Sequence, residues 1–284
     1  IHTDVKLSAK PGRTVFYFRL ISGGSGADLP PTLTLFDEES HHWTMHKLTG
    51  LQSLILGFFL MMIAYNFAVW LRYKTKTYLF YVFYLLSWFF NLTMYSQIPA
   101  YYFFPDTAGG WLVDNYWLLT QSSICICACF FTRGFLNMEK ELPKLSKLLV
   151  GFAFLAFILV PLDPYIGQYN LLSLIFNNIA TPVMLVSGII VGLRGFKPAF
   201  FYTLAWSFFL SGGMVWMAMM EGLLPVTFDL TLSPLVGTAL ECIFFGLALG
   251  KKMHLEALES KNNIEHLNIQ LMQTMNEIKE KEEA

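Results

Sequence analysis

The amino-acid sequence predicts an all-α membrane protein: a seven-helix transmembrane bundle, with a short extracellular β segment before it and a C-terminal cytoplasmic coiled-coil helix after it. Three observations carry this. The 284 residues are 55% apolar and 14% charged, where a soluble domain carries roughly 25% charge. The charge is uneven: residues 47–250 hold 18 charged groups, while 1–46 hold 9 and 251–284 hold 12. The central stretch divides into seven apolar runs, each near the roughly 20 residues an α-helix needs to cross a bilayer. The expected domains are therefore 1–46, 47–250 and 251–284. A net charge of −1 lacks the basic field of a nucleic-acid-binding protein, so no nucleic-acid partner is expected.

The first flank reads as extended. Thr14–Leu20 (TVFYFRL) and Thr32–Phe36 (TLTLF) are rich in β-branched and aromatic residues, and the turn formers ISGGSGADLPP separate them. Two strands alone are not stable, so they are expected to be the end of an outer β-domain. The chain starts on Ile1, and its flank lacks the basic head and small-residue cleavage site of a signal peptide. A piece of a longer protein is expected.

The seven runs are 48–71, 77–97, 111–132, 147–162, 168–193, 198–220 and 229–250. The fourth is the weakest, being short between Lys147 and Asp163. Alternate connections are basic: Arg72, Lys74 and Lys76; Arg133, Lys140, Lys144 and Lys147; Arg194 and Lys197; Lys251 and Lys252. The connections near 98–110, 163–167 and 221–228 contain no Lys or Arg. The positive-inside rule then puts the N-terminus outside and the C-terminus in the cytoplasm. Lys47 alone opposes the bias. Trp70, Tyr73, Tyr101, Tyr102, Trp111, Tyr116, Tyr165, Tyr169 and Tyr202 lie near run ends, where rings at the headgroup level are expected.

The second flank reads as helix continuing from the seventh run, since no Gly or Pro follows Gly250. Ile264, Leu267, Leu271, Met275 and Ile278 recur every three or four residues, which fits a parallel coiled-coil seam and a homodimer. Asn268 and Thr274 weaken the seam, and a solvated helix packing elsewhere is the alternative.

An ionisable group in the bilayer costs at least about 2.5 kcal/mol and is a functional hypothesis by default. Glu241 precedes Lys251 by ten residues, about 15 Å of helix, which puts it near the middle of a roughly 30 Å core. It is expected to face the bundle, either as a switch whose hydrogen-bond partner changes between states or as a structural bond to a neighbouring helix. Asp114, beside Asn115, faces an outer vestibule or lies at the wet interface. Asn177 and Asn178 precede Pro182, which removes the hydrogen bond to the Asn178 carbonyl and should kink the fifth run. A polar pocket, a hinge and plain interhelical amide bonds all fit there. Ser211–Met214 (SGGM) permits close helix approach.

The four cysteines, Cys125, Cys127, Cys129 and Cys242, fall in apolar runs and read as packing residues, with no disulfide framework. Histidine occurs only at 2, 41, 42, 46, 254 and 266, outside the runs, which argues against intramembrane haem or zinc. The seventh run has no Lys for a retinal Schiff base. Walker-type, HExxH and GxSxG sequences are absent. No catalytic residue, metal site or cofactor is therefore expected in this segment.

Three stretches are similar to a known family: Gly57–Tyr84, Phe131–Met138 (FTRGFLNM) and Glu221–Met253. The Tyr65–Asn66 pair precedes a basic turn and then Tyr78, Leu79 and Tyr81, and Gly237 is followed four residues on by Glu241. In this order, across about 48–255, the chain resembles the bacterial seven-transmembrane receptors with diverse intracellular signalling modules (DISM). The resemblance implies a multi-pass receptor of the bacterial inner membrane. An outer jelly-roll-like domain would bind a carbohydrate or other small molecule, and Asn66 and Glu241 become signalling candidates. It also implies a cytoplasmic output enzyme, ranked here as a histidine kinase of a two-component system ahead of a nucleotide or diguanylate cyclase. A transporter or channel is the rival from another class. It would show a polar pathway and often inverted repeats, neither of which the sequence displays. Two further rivals are a eukaryote-like G-protein-coupled receptor, whose acidic-Arg-aromatic signature FTRGF lacks, and an anchor with no sensing role.

Overall fold

The computed structural model describes residues 38–93, 110–166, 179–225, 227, 230 and 232–283. These form α1 (Glu38–Tyr73), α2 (Lys76–Thr93), α3 (Gly110–Phe135), the single turn α4 (Met138–Glu141), α5 (Pro143–Ile166), α6 (Thr181–Leu193), α7 (Ala199–Met220) and α8 (Ser233–Glu283). The chain is an all-α membrane protein. Among the described residues, Thr49–Tyr73, Leu118–Phe135, Ala199–Met219 and Ser233–Asn276 contain windows long and apolar enough to cross a membrane, and Thr181–Leu193 is a shorter apolar helix. Helix is present in each of the seven apolar runs. The expected β segment lies outside the described residues.

Two boundaries move. α1 begins at Glu38, so the polar end of the first flank is helical before the apolar run starts. α5 runs from Pro143 to Ile166 and is longer than its apolar run. Pro143 suits a first helical position because its missing N–H would have no partner there.

The helix ends have local causes. α6 and α7 both stop in Schellman turns. Gly195 (φ 101°) and Gly222 (φ 73°) take the left-handed conformation. Gly195 N donates to Gly192 O and Phe196 N to Val191 O; Gly222 N donates to Met219 O and Leu223 N to Ala218 O. Pro182 lies in the first turn of α6, directly after a π-helical turn at 179–180. Asn177 and Asn178 lie outside the described residues.

The core is aromatic. Tyr81, Tyr84, Phe131, Phe135, Tyr202, Trp206 and Phe245 are fully buried. Phe245 of α8 touches five of them, including Phe131 at 5.1 Å and Trp206 at 5.4 Å. Tyr202 corrects the sequence reading. It is a core residue stacked on Phe135 at 5.3 Å, and its hydroxyl lies 2.8 Å from Thr132 Oγ1. Position near a run end cannot separate a ring that faces lipid from one that faces inward.

Glycines mark the closest crossings. A Cβ on Gly212 of α7 would stand 2.5 Å from Ser233 O, and one on Gly237 of α8 would stand 2.8 Å from Phe208 O. The approach expected at Ser211–Met214 is therefore made by Gly212, against the start of α8. A Cβ on Gly134 would meet Thr77 Oγ1 at 2.6 Å, which binds the end of α3 to the start of α2.

Candidate functional site

α2 carries tyrosines at 78, 81 and 84, three residues apart on one side of the helix. A buried phenol needs a hydrogen-bond acceptor for its O–H. All three find theirs on α8: Tyr78 donates to Leu249 O at 3.1 Å, Tyr81 to Cys242 O at 3.1 Å, and Tyr84 to Glu241 Oε1 at 2.5 Å. Ascending α2 meets descending α8, so the two helices run antiparallel, joined by a ladder of phenol hydroxyls. The carbonyls of Cys242 and Leu249 are in helix and can still accept, because each oxygen has a second lone pair.

Glu241 is 0% exposed. Its Oε1 takes the Tyr84 hydroxyl, and its Oε2 has no hydrogen-bond partner among the described residues. The Tyr84 ring is held edge-on by Trp88 at 6.4 Å and Phe245 at 6.2 Å. One tyrosine thus satisfies half of a deeply buried carboxyl. Loss of that bond leaves the group without compensation, at a cost of about 1–3 kcal/mol or more.

A second polar junction closes the ladder at its basic end. Lys252 of α8 is 7% exposed. Its ammonium donates to Gly134 O and Phe135 O, each at 2.9 Å, and lies 5.4 Å from the Phe135 ring centroid. These carbonyls belong to the last turn of α3, which has no intrahelical donors left and carries the negative end of the helix dipole. Glu256, one turn further along α8, lies 3.8 Å from the same ammonium.

The basic connections meet at one end of the bundle. Arg194 of the α6–α7 turn donates to Glu141 O at 2.6 Å, and Arg133 Nε donates to Ser146 Oγ at 2.8 Å. Thr77 and Lys252 both reach the end of α3. The charge alternation read from the sequence therefore corresponds to one physical face.

The other sequence candidates separate. Asn66 is buried, but its Nδ2 donates to Met62 O of its own helix at 2.8 Å, a local i−4 bond. Tyr65, its neighbour, is exposed. The side chain of Asp114 lies outside the described residues, as does that of Ile278. Pro182 is half-buried on α6, away from the α2–α8 ladder. Ile264, Leu267, Leu271 and Met275 are exposed on the distal part of α8. Cys125, Cys129 and Cys242 are buried, Cys127 is half-buried, and all four thiols are free.

Sequence reasoning named Glu241 without a partner and missed Tyr84, Gly134 and Lys252. A usable signal was present: three tyrosines at a spacing of three inside an apolar run cannot all reach headgroups, so some must bond inward.

Buried polar contacts across helices, and a 51-residue helix rooted among them, define a helical multi-pass membrane protein with a packed interior. A family model, 7TM diverse intracellular signalling, matches residues 48–252, and the chain belongs to that family. It is a membrane receptor domain in signalling, a sensory domain without catalytic function of its own. No curated protein and no solved structure matches the chain.

Proposed function

We propose that this chain relays an extracellular signal through seven spans and a dimeric cytoplasmic helix to a histidine kinase of a two-component system. The protein lies in the bacterial inner membrane, N-terminus outside and C-terminus in the cytoplasm. Its ligand is a small molecule or carbohydrate held by an outer domain. Two copies pair along Ile264, Leu267, Leu271, Met275 and Ile278. Glu241 is the switch, and Tyr84 is its partner in the state described.

One observation supports this reading most: α8 is a single helix of 51 residues, about 77 Å long. It carries Glu241 within the packed bundle and the apolar stripe Ile264–Met275 well beyond it. A displacement at the bundle end of such a rod reaches the far end as rotation, tilt or sliding, and a second copy turns that into a change of separation.

Membranes carrying the full-length protein test it. Incubation with labelled ATP should put acid-labile phosphate on the protein itself, in amounts that change on Glu241→Gln. Cyclic nucleotide in place of phosphoprotein would keep the receptor and replace the kinase. Solute flux through the segment in sealed vesicles would overturn the receptor reading in favour of a transporter.

A further inference from the structure

We propose that Lys252 is a latch that docks the output helix onto the end of α3, and that Glu256 is the rival partner that receives its ammonium when the helix undocks. This deepens the receptor reading and rests on it for its purpose; the test below reads helix position instead of output, so the two can fail separately.

The geometry supplies both halves. Docked, the ammonium holds Gly134 O and Phe135 O at 2.9 Å each, with the Phe135 ring alongside. A lysine ammonium is a compact point charge with three donors on a flexible stem. Two donors are committed here, and the third side faces Glu256 at 3.8 Å. Glu256 is four residues on and more than half exposed, whereas the lysine is nearly buried. If the lysine leaves the α3 carbonyls, a solvated i,i+4 ion pair on α8 is already within reach. In the structure the ammonium contacts the α3 carbonyls and Glu256 together; on undocking it would keep Glu256 alone, which would give the two-state element that coupling between distant sites requires.

There is also room to move. Just past Lys252, a groove of about 490 Å³ separates α8 from the end of α1, lined by Tyr73, Met253, Ala257 and Ile264 among others. Above the latch, α8 is held by the tyrosine ladder and the Gly212–Gly237 crossing. Below the groove its side chains are exposed. Lys252 is the last buried side chain of α8 among the described residues. The close contact of Gly134 with Thr77 carries α2 into the same joint.

Spin labels on non-natural residues at positions 140 and 261, both exposed, would report the distance across the joint by double electron–electron resonance on the full chain in nanodiscs. The unsubstituted chain should give one dominant narrow distance. Lys252→Met, which keeps the stem and removes the donors, should at least double the width of the distribution or add a second population. Lys252→Arg, which keeps a cationic donor, should restore the single distance. Glu256→Gln removes the rival and should leave the docked distance as narrow or narrower. An unchanged distribution in Lys252→Met would overturn the proposal. So would broadening that comes only with loss of the aromatic near-ultraviolet circular dichroism of the bundle, which would make Lys252 a packing residue. Broadening in Glu256→Gln equal to that of Lys252→Met would also overturn it, by making Glu256 part of the docked arrangement.

Discussion

Tyr84 and Glu241 stand 157 positions apart in the chain and meet through one hydrogen bond, phenol to carboxyl, at 2.5 Å. Both are fully buried, so neither faces bulk solvent. The bond joins the second helix to the helix that leaves the bundle. A change in the packing of α2 is therefore felt by α8 at this pair.

Removing the Tyr84 hydroxyl tests that connection. Tyr84→Phe keeps the ring and its contacts with Trp88 and Phe245 but leaves the Glu241 carboxyl without its donor. Thermal unfolding in nanodiscs should show a loss of about 1–3 kcal/mol. Tyr81→Phe removes a bond to a backbone carbonyl that keeps its intrahelical donor, and should cost less, about 0.5–1.5 kcal/mol. Equal stability of Tyr84→Phe and the unsubstituted chain would show that the bond carries no weight.

The glycine crossing of α7 and α8 makes a sharper contrast. A methyl at Gly212 would stand 2.5 Å from Ser233 O, a backbone atom that cannot swing aside, and Gly213 next to it has nothing within 4 Å. Gly212→Ala should destabilise by about 1–3 kcal/mol through overpacking. Gly213→Ala should be neutral or stabilising by up to about 1 kcal/mol, from helix propensity. The same melting experiment decides both, and reversal of their order would contradict the packing described.

Much of this architecture was legible in the sequence, and the reason is local. Apolar runs, basic turns and the unbroken run after Gly250 are each visible within about twenty residues, the scale on which a bilayer selects helices. Glu241 was legible because a carboxyl in an apolar run is conspicuous anywhere. Its partner was not, since nothing around Tyr84 marks the helix it faces. Lys252 was hidden by its surroundings: beside Lys251 it reads as one more basic residue at a membrane boundary, yet Lys251 is exposed and Lys252 is buried. Tyr202 misled for the same reason. The early start of α1 was missed because helix outside an apolar run gives no hydropathy signal.

The apolar stripe on distal α8 yields a prediction about assembly. Single cysteines at Leu267 or Leu271, both exposed, should form disulfide-linked dimers in membranes under mild oxidation. Cysteine at Asn262, on the face opposite the stripe, should do so at no more than about a tenth of that yield if the paired helices hold a coiled-coil register. Equal yields at all three positions would remove the seam.

Orientation is checked by access. With the basic turns in the cytoplasm, a tag after Ala284 should resist protease added to intact cells and be cut once the membrane is opened. Cleavage in intact cells would invert the topology.

The central claim is that the Tyr84–Glu241 bond sets the position of the output helix. Disulfide yields at positions 264, 267 and 271 should be measured in membranes for the unsubstituted chain, Tyr84→Phe, Glu241→Met, which keeps the length and removes the acceptor oxygen, and the double variant. The account predicts that each single change shifts the relative yields in the same direction by about threefold or more, and that the double variant shifts no further than one, because both break the same bond. An unchanged pattern in all three variants would contradict it and leave Glu241 a structural carboxyl.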